Sequence, residues 1–136
     1  MKIMITTLKD FILVFENIDN GITMYSGITM DKWNTIWKDK NLIDKETNVT
    51  SVLSFASDYS YNFNTGKYED IVVEINNIPL DAFISYRDDE YNDDQDFHSM
   101  QDMSNNEKMN IIKSYSLFLV NLYQYKDMIN TKMINT

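Results

Sequence analysis

The sequence predicts a single α+β domain. Two amphipathic stripes each begin at a capping residue, and β-branched runs bounded by turn residues lie between them. The length of 136 residues is enough for one core and short of two. Apolar residues at 43% and aromatics at 13% exceed what a disordered acidic chain carries, so folding is expected. The domain is read over residues 1–127, with 128–136 as a C-terminal tail that frays.

Met1 to Thr6 alternates weakly, as a strand does, and Thr7 with Asp10 three residues later can cap a helix through Phe11 to Glu16. Asn20-Gly21 is a turn signal, and Ile22 to Ile28 comes next with the Ile, Thr, Met and Tyr content of a strand. Thr29 can cap a helix whose Met30, Trp33, Ile36 and Trp37 share one face. A tryptophan pair on that face reads as a core stripe before it reads as a binding platform. Asn41 to Asn48 is polar and irregular. Thr50 to Ser57 then alternates as a strand with Val52 and Phe55 inward, and a short helix is expected after Asp58.

Gly66 marks the next turn, and Ile71-Val72-Val73-Glu74-Ile75 is β-branched at nearly every position, the strongest strand signal in the chain. Asn76-Asn77 and Pro79 break it before another short strand at Ala82 to Tyr86. An acidic loop carries Asp88, Asp89, Glu90, Asp93, Asp94, Asp96 and Asp102. Ser104 with Glu107 makes a capping box, after which Met109, Ile112, Tyr115, Leu119, Leu122 and Tyr123 fall close to one stripe of a long C-terminal helix. The chain closes on a short tandem repeat, Met128-Ile129-Asn130-Thr131 and Met133-Ile134-Asn135-Thr136, too brief to build a solenoid.

The formal charge of −9 repels a phosphate backbone, which disfavours direct nucleic-acid binding. It suits a basic protein partner, and it is also an ordinary charge for a soluble protein. Without cysteine there is neither a disulfide nor a thiolate metal site, which fits a reducing, cytoplasmic compartment. The apolar stretch Phe11 to Phe15 is too short for a signal or a membrane span. His98 is the only histidine, so neither a His-based metal site nor a Ser-His pair has support. Three glycines cannot write a phosphate loop, and no register of the acidic loop gives an EF-hand. Asn48-Val49-Thr50 matches a glycosylation acceptor without a secretion signal to make use of it. The abundance of Asn, Ile, Lys, Asp, Tyr and Met is similar to the coding bias of AT-rich phages and mobile elements.

Three segments in order carry a resemblance: Tyr25-Ser26-Gly27-Ile28 closing a strand, the helix with Trp33 and Ile36, and Ser54-Phe55-Ala56-Ser57-Asp58-Tyr59-Ser60-Tyr61-Asn62-Phe63, followed by the Val72 to Ile75 strand. This outline, over roughly Ile22 to Tyr86, resembles the ADP-ribosyltransferase family, including its small phage-encoded members. The resemblance implies a mixed β core, split into a pair of small sheets, with flanking helices and NAD as the substrate cofactor. Tyr25, Ser26, Gly27, Ser54, Ser57 and Tyr61 are then the cofactor-binding candidates, and Glu90 is the late glutamate that orients the ribose and stabilises an oxocarbenium-like transition state. Ser26 stands where the family places an Arg or His, and a neutral hydroxyl cannot make a guanidinium's bidentate contact to phosphate. Arg87, the sole arginine, is distant in sequence. Each candidate also has a simpler reading: serines satisfy local backbone, aromatics pack, and Glu90 belongs to a solvated acidic loop.

Two further readings stay open. One is a non-enzymatic acidic inhibitor whose carboxylates from Asp88 to Asp102 occupy a basic surface of a host defence or nucleic-acid-processing protein. The other is self-association through Tyr115, Phe118, Leu119, Leu122 and Tyr123 on the expected C-terminal helix.

Overall fold

The computed structural model describes residues 21–88 and 97–136. The strand and helix expected before Asn20, and the acidic stretch 89–96 with Glu90, lie outside the described residues. The strands are β1 (Ile22–Ile28), β2 (Thr47–Thr50), β3 (Tyr61–Asn62), β4 (Lys67–Tyr68), β5 (Ile71–Ile78), β6 (Phe83–Arg87), β7 (Phe97–Ser99), β8 (Leu117–Val120) and β9 (Asn130–Asn135). The helices are α1 (Met30–Lys32), which runs on as a π-helical segment over Trp33–Trp37, α2 (Leu53–Ser57) and α3 (Asn105–Ser114).

Seven strands join in one sheet, in the order β7-β6-β8-β2-β1-β5-β9, and β3 with β4 forms a separate hairpin. Every described pairing is antiparallel, so the β core is not mixed. The sheet is continuous, in place of the two small sheets expected, but it has a seam. β1 and β2 meet at the single pair Tyr25↔Thr50, whereas β1 and β5 are paired from Ile22↔Ile78 to Ile28↔Ile71.

Period-two alternation sets the core face. Met24, Ser26 and Ile28 of β1 stand beside Ile75, Val73 and Ile71 of β5. Val49, Phe118 and Val120 continue the face across β2 and β8, where Phe83 meets Phe118 edge to face at 5.5 Å. Trp37, Ile43, Met100, Met109, Leu122 and Ile129 are buried in the same core. The register between β1 and β5 slips between Ile22 and Met24, so one extra residue of β5 bulges out. Asn77 takes it up in the left-handed region at φ 64°, a conformation that Asn tolerates better than most side chains, and the bulge returns Ile78 to the buried side. Asn76-Asn77 therefore bends the strand without ending it.

The helix after β1 is held at both ends. Thr29 Oγ1 accepts from the Lys32 amide at 3.3 Å, as its position before the Met30 stripe predicts, and Glu69 Oε1 accepts from the Met30 amide at 2.8 Å. Lys40 donates to the Ile129 carbonyl at 2.7 Å, and Thr131 Oγ1 donates to the Trp37 carbonyl at 2.9 Å.

Three expectations are corrected. Thr50 to Ser57 is not a strand: the ladder ends at Thr50, and the Phe55 and Ala56 amides turn back to the Val52 carbonyl to make α2. The long C-terminal helix does not form. The Ser104 and Glu107 capping box is present, but α3 ends at Ser114, and Leu117 to Val120 pairs with β2 and β6. Phe118 and Leu119 thus belong to a strand, and no helical face of Tyr115 to Tyr123 exists for self-association. The tail expected to fray is β9, paired with β5 from Ile71↔Asn135 to Asn76↔Asn130.

Candidate functional site

The seam between β1 and β2 opens a cleft of about 380 Å³. One wall is Tyr25, Ser26, Gly27 and Ile28 with Lys32, Ile36 and Trp37, and the other is Thr47 to Thr50 with Leu117, Phe118 and Arg87. The volume falls within the range of small-molecule sites. Its position comes from the pairing. β2 ends at Thr50, and beyond that one pair no ladder joins Thr47 to Val49 with Ser26 to Ile28, so the strands part on that side and both faces of the sheet contribute to the lining.

Tyr25, Thr50, Leu117 and Arg87 are successive partners across four strands and so form one row on the face away from the core. At about 4.8 Å per strand, the backbone of Arg87 stands roughly 14 Å from that of Tyr25. Arg87 is half-buried, and its guanidinium lies 5.6 Å from the Phe97 ring centroid. Lys32 supplies a second cation, and Asp44 and Glu46 bring two exposed carboxylates from the segment that leads into β2.

Gly27 sets the cleft floor. A Cβ at this position would lie 2.0 Å from the Ala56 carbonyl oxygen and 2.8 Å from the Tyr59 carbonyl carbon. The backbone after β2 can press onto β1 only because Gly27 has no side chain. Ser60 fastens that segment: its buried hydroxyl donates to the Ser57 carbonyl and accepts from the Asp70 amide, each at 2.9 Å. Ser26 Oγ donates to the Asn48 carbonyl at 3.1 Å, a side-chain bond across the seam.

Of the candidates named from sequence, Tyr25, Ser26 and Gly27 come together in this cleft. Tyr61 lines a smaller adjoining depression of about 250 Å³ with Phe63, Asn62 and Asn64, which shares Gly27, Ile28, Lys32 and Tyr59 with the first. Ser57 lies off both, its hydroxyl 2.8 Å from Thr136 Oγ1, and Ser54 is exposed on α2. The expected pairing of the two serines on a strand fails because that strand is a helix. Glu90 lies outside the described residues.

Glu69 links the depression to the fold. Its carboxylate accepts from the Met30 amide and from the Asn62 side-chain amide, and these bonds, the backbone one first, hold its carboxyl below the ordinary range. Around them Tyr61 meets Phe63 at 4.9 Å and Tyr68 at 5.0 Å, both edge to face, with Phe63 89% exposed.

Sequence reasoning missed Arg87, Lys32, Asp44 and Glu46. Only strand order brings Arg87 into the cleft that Ser26 lines, and no local pattern carries that order. Among the described residues no cluster of three or more His, Cys, Asp or Glu is placed to hold a metal, and no helix is long and apolar enough to cross a membrane. A scan against protein-family models matches no family, and searches of curated proteins and of solved structures find no match.

Proposed function

We propose that the chain is an ADP-ribosyltransferase-like protein that takes NAD into the cleft between β1 and β2 and uses it on a protein target. The observation that carries the reading is the seam itself. It opens a cleft beside Tyr25-Ser26-Gly27, the segment whose likeness to the family was read from sequence, and Gly27 and Lys32 continue the cleft into a depression edged by Tyr61. The lining fits the substrate in kind: cations for phosphate, carboxylates for sugar hydroxyls, and apolar and aromatic side chains for a ring.

In the reaction the bond between nicotinamide and ribose C1′ breaks, and nicotinamide leaves with the electron pair, which neutralises its ring. A nucleophile on the target then bonds to C1′ and gives up its proton. A carboxylate beside C1′ stabilises the positive character that develops there. Glu90 is the residue the resemblance assigns to that role, and in sequence it comes three residues after Arg87, the last residue of β6. A protein carried by a phage or mobile element would meet its target in the host cytoplasm.

The test is a thermal shift with NAD, followed by labelled NAD with a lysate. Binding at a hundred times Kd stabilises by about 2.7 kcal/mol, a clear rise in Tm. A Tm rise with label transfer supports an active transferase, and a rise without label leaves a binding fold that has lost turnover. Neither Tm rise nor label sinks the reading.

A second reading, a non-enzymatic inhibitor seated on a basic protein surface, is favoured by the charge of −9 and the carboxylates from Asp88 to Asp102. It requires capture of a basic partner that weakens steeply with salt and on neutralising Asp88, Asp89, Asp93 and Asp94. Salt-insensitive capture rules it out.

A further inference from the structure

We propose that the depression edged by Tyr59, Tyr61 and Phe63 is a binding site for a small quaternary ammonium ion, one of the size of choline. Tyr61 and Phe63 stand 4.9 Å apart with their planes at 78°, and both line the depression, so two ring faces make adjoining walls of a corner. Tyr59 lines it as well, and Tyr68 braces Tyr61 from its cross-strand position at 5.0 Å. The negative face of an aromatic ring attracts a cation within about 6 Å of its centroid, and rings set at an angle let one cation meet more than one face. The volume of about 250 Å³ accommodates such an ion.

The loop that presents Phe63 is fixed, although the side chain is 89% exposed. Asn62 Oδ1 accepts from the Asn64 amide at 2.8 Å and from the Thr65 amide at 3.3 Å, and the Asn62 carbonyl accepts from the Gly66 amide at 2.8 Å. The backbone beneath the ring is thus ordered before a ligand arrives. The same bonds occupy acceptors of the lining. Asn62 Oδ1 is taken up by the loop, Thr29 Oγ1 by the Lys32 amide, and Glu69, which bonds Asn62, by the Asn62 side-chain amide and the Met30 amide. A primary ammonium or a guanidinium brings several N–H donors that must be matched, whereas a quaternary ammonium brings none and is satisfied by ring faces and charge. The charge comes from exposed Asp31, which lines the depression, and from Glu69, whose carboxylate is held by two neutral amides. Lys32 is the cation in that lining, and it opposes the ligand.

The probe is choline chloride, titrated into the whole chain at fixed ionic strength and followed by NMR through its methyl protons. Dimethylbutanol, its uncharged carbon isostere, is titrated in parallel. Choline should bind several-fold more tightly than the isostere. Phe63→Leu keeps an apolar side chain at an exposed position and removes one ring face, so it should weaken choline by about three- to thirtyfold with Tm unchanged. Asp31→Asn should weaken choline as well, and Lys32→Gln, which removes the opposing charge, should tighten it. Equal affinity for choline and the isostere overturns the proposal, because apolar contact alone would then explain the binding. Unaltered choline affinity in Phe63→Leu overturns it too, as does the absence of any methyl shift at millimolar choline. Choline contains no part of NAD, so a chain that binds choline and not NAD keeps this site and loses the reading of the cleft, and the reverse result does the opposite.

Discussion

Replacing Gly27 with alanine tests the packing on which the cleft floor depends. The added methyl would sit 2.0 Å from the Ala56 carbonyl oxygen and 2.8 Å from the Tyr59 carbonyl carbon, both of them main-chain atoms. No rotamer change can relieve a clash with backbone, so α2 and the turn after it must move away from β1 as a unit. Ser60 resists that movement, since its hydroxyl ties the turn to the start of β5. The cost therefore lies at the upper end of the roughly 1–3 kcal/mol typical of overpacking, or above it. For a chain of this length that lowers Tm by about 10 °C or more. Thermal unfolding followed by circular dichroism measures it, with Ser26→Ala as the control one position away; that change removes one exposed hydrogen bond and should cost about 1 kcal/mol or less. A Gly27→Ala protein melting within about 1–2 °C of the unmodified chain would show that α2 does not lie against β1, and the account of the floor would be wrong.

Phe118→Ala should cost about 3–5 kcal/mol, because the ring is fully buried against Phe83; urea denaturation reads it, and a loss under about 1 kcal/mol contradicts the core described. Ser104→Ala should cost about 1 kcal/mol by opening the capping box of α3, and an unchanged urea midpoint would argue against that cap. Glu69 has its folded-state carboxyl held below the unfolded value, so its contribution is present above the unfolded value and is lost as pH falls through the folded one. Glu69→Gln should therefore flatten the acid limb of the stability curve, and an unaltered limb refutes the assignment. Deleting residues 130–136 strips a strand from β5 and uncovers Val72 and Val73, so the truncated chain should lose cooperative unfolding and bind a hydrophobic dye; a native-like melt would return this segment to a frayed tail.

Much of the framework around the cleft was legible because its signals are local. Ile22 to Ile28, the Thr29 cap, the Ile71 strand and the Ser104 and Glu107 box each lie within a few residues of what they determine. The failures come where pairing outweighs periodicity. Leu117-Phe118-Leu119-Val120 is a run of four apolar residues that satisfies a helical stripe and a strand buried on both faces alike. Ser114 and Ser116 beside it, poor helix formers, were the only local warning. The last strand is half polar and holds its place through β5, a partner about sixty residues earlier. Of the site, Tyr25, Ser26 and Gly27 were readable as a group. Arg87 was not, because it reaches the cleft that Ser26 lines only through β6, β8 and β2, and strand order is not written in any one segment.

A ribbon of hydrogen-bonded strands is as stiff as its least-stitched line, and here that line runs between two well-bonded flaps, β9-β5-β1 on one side and β2-β8-β6-β7 on the other. Thermal motion collects where the fewest bonds resist it. Within the described sheet, the sparse pairing at Tyr25 and Thr50 is where a book-like flexing of the two flaps meets the fewest ladder bonds, and such a flexing would widen or narrow the same space in which a ligand would lie.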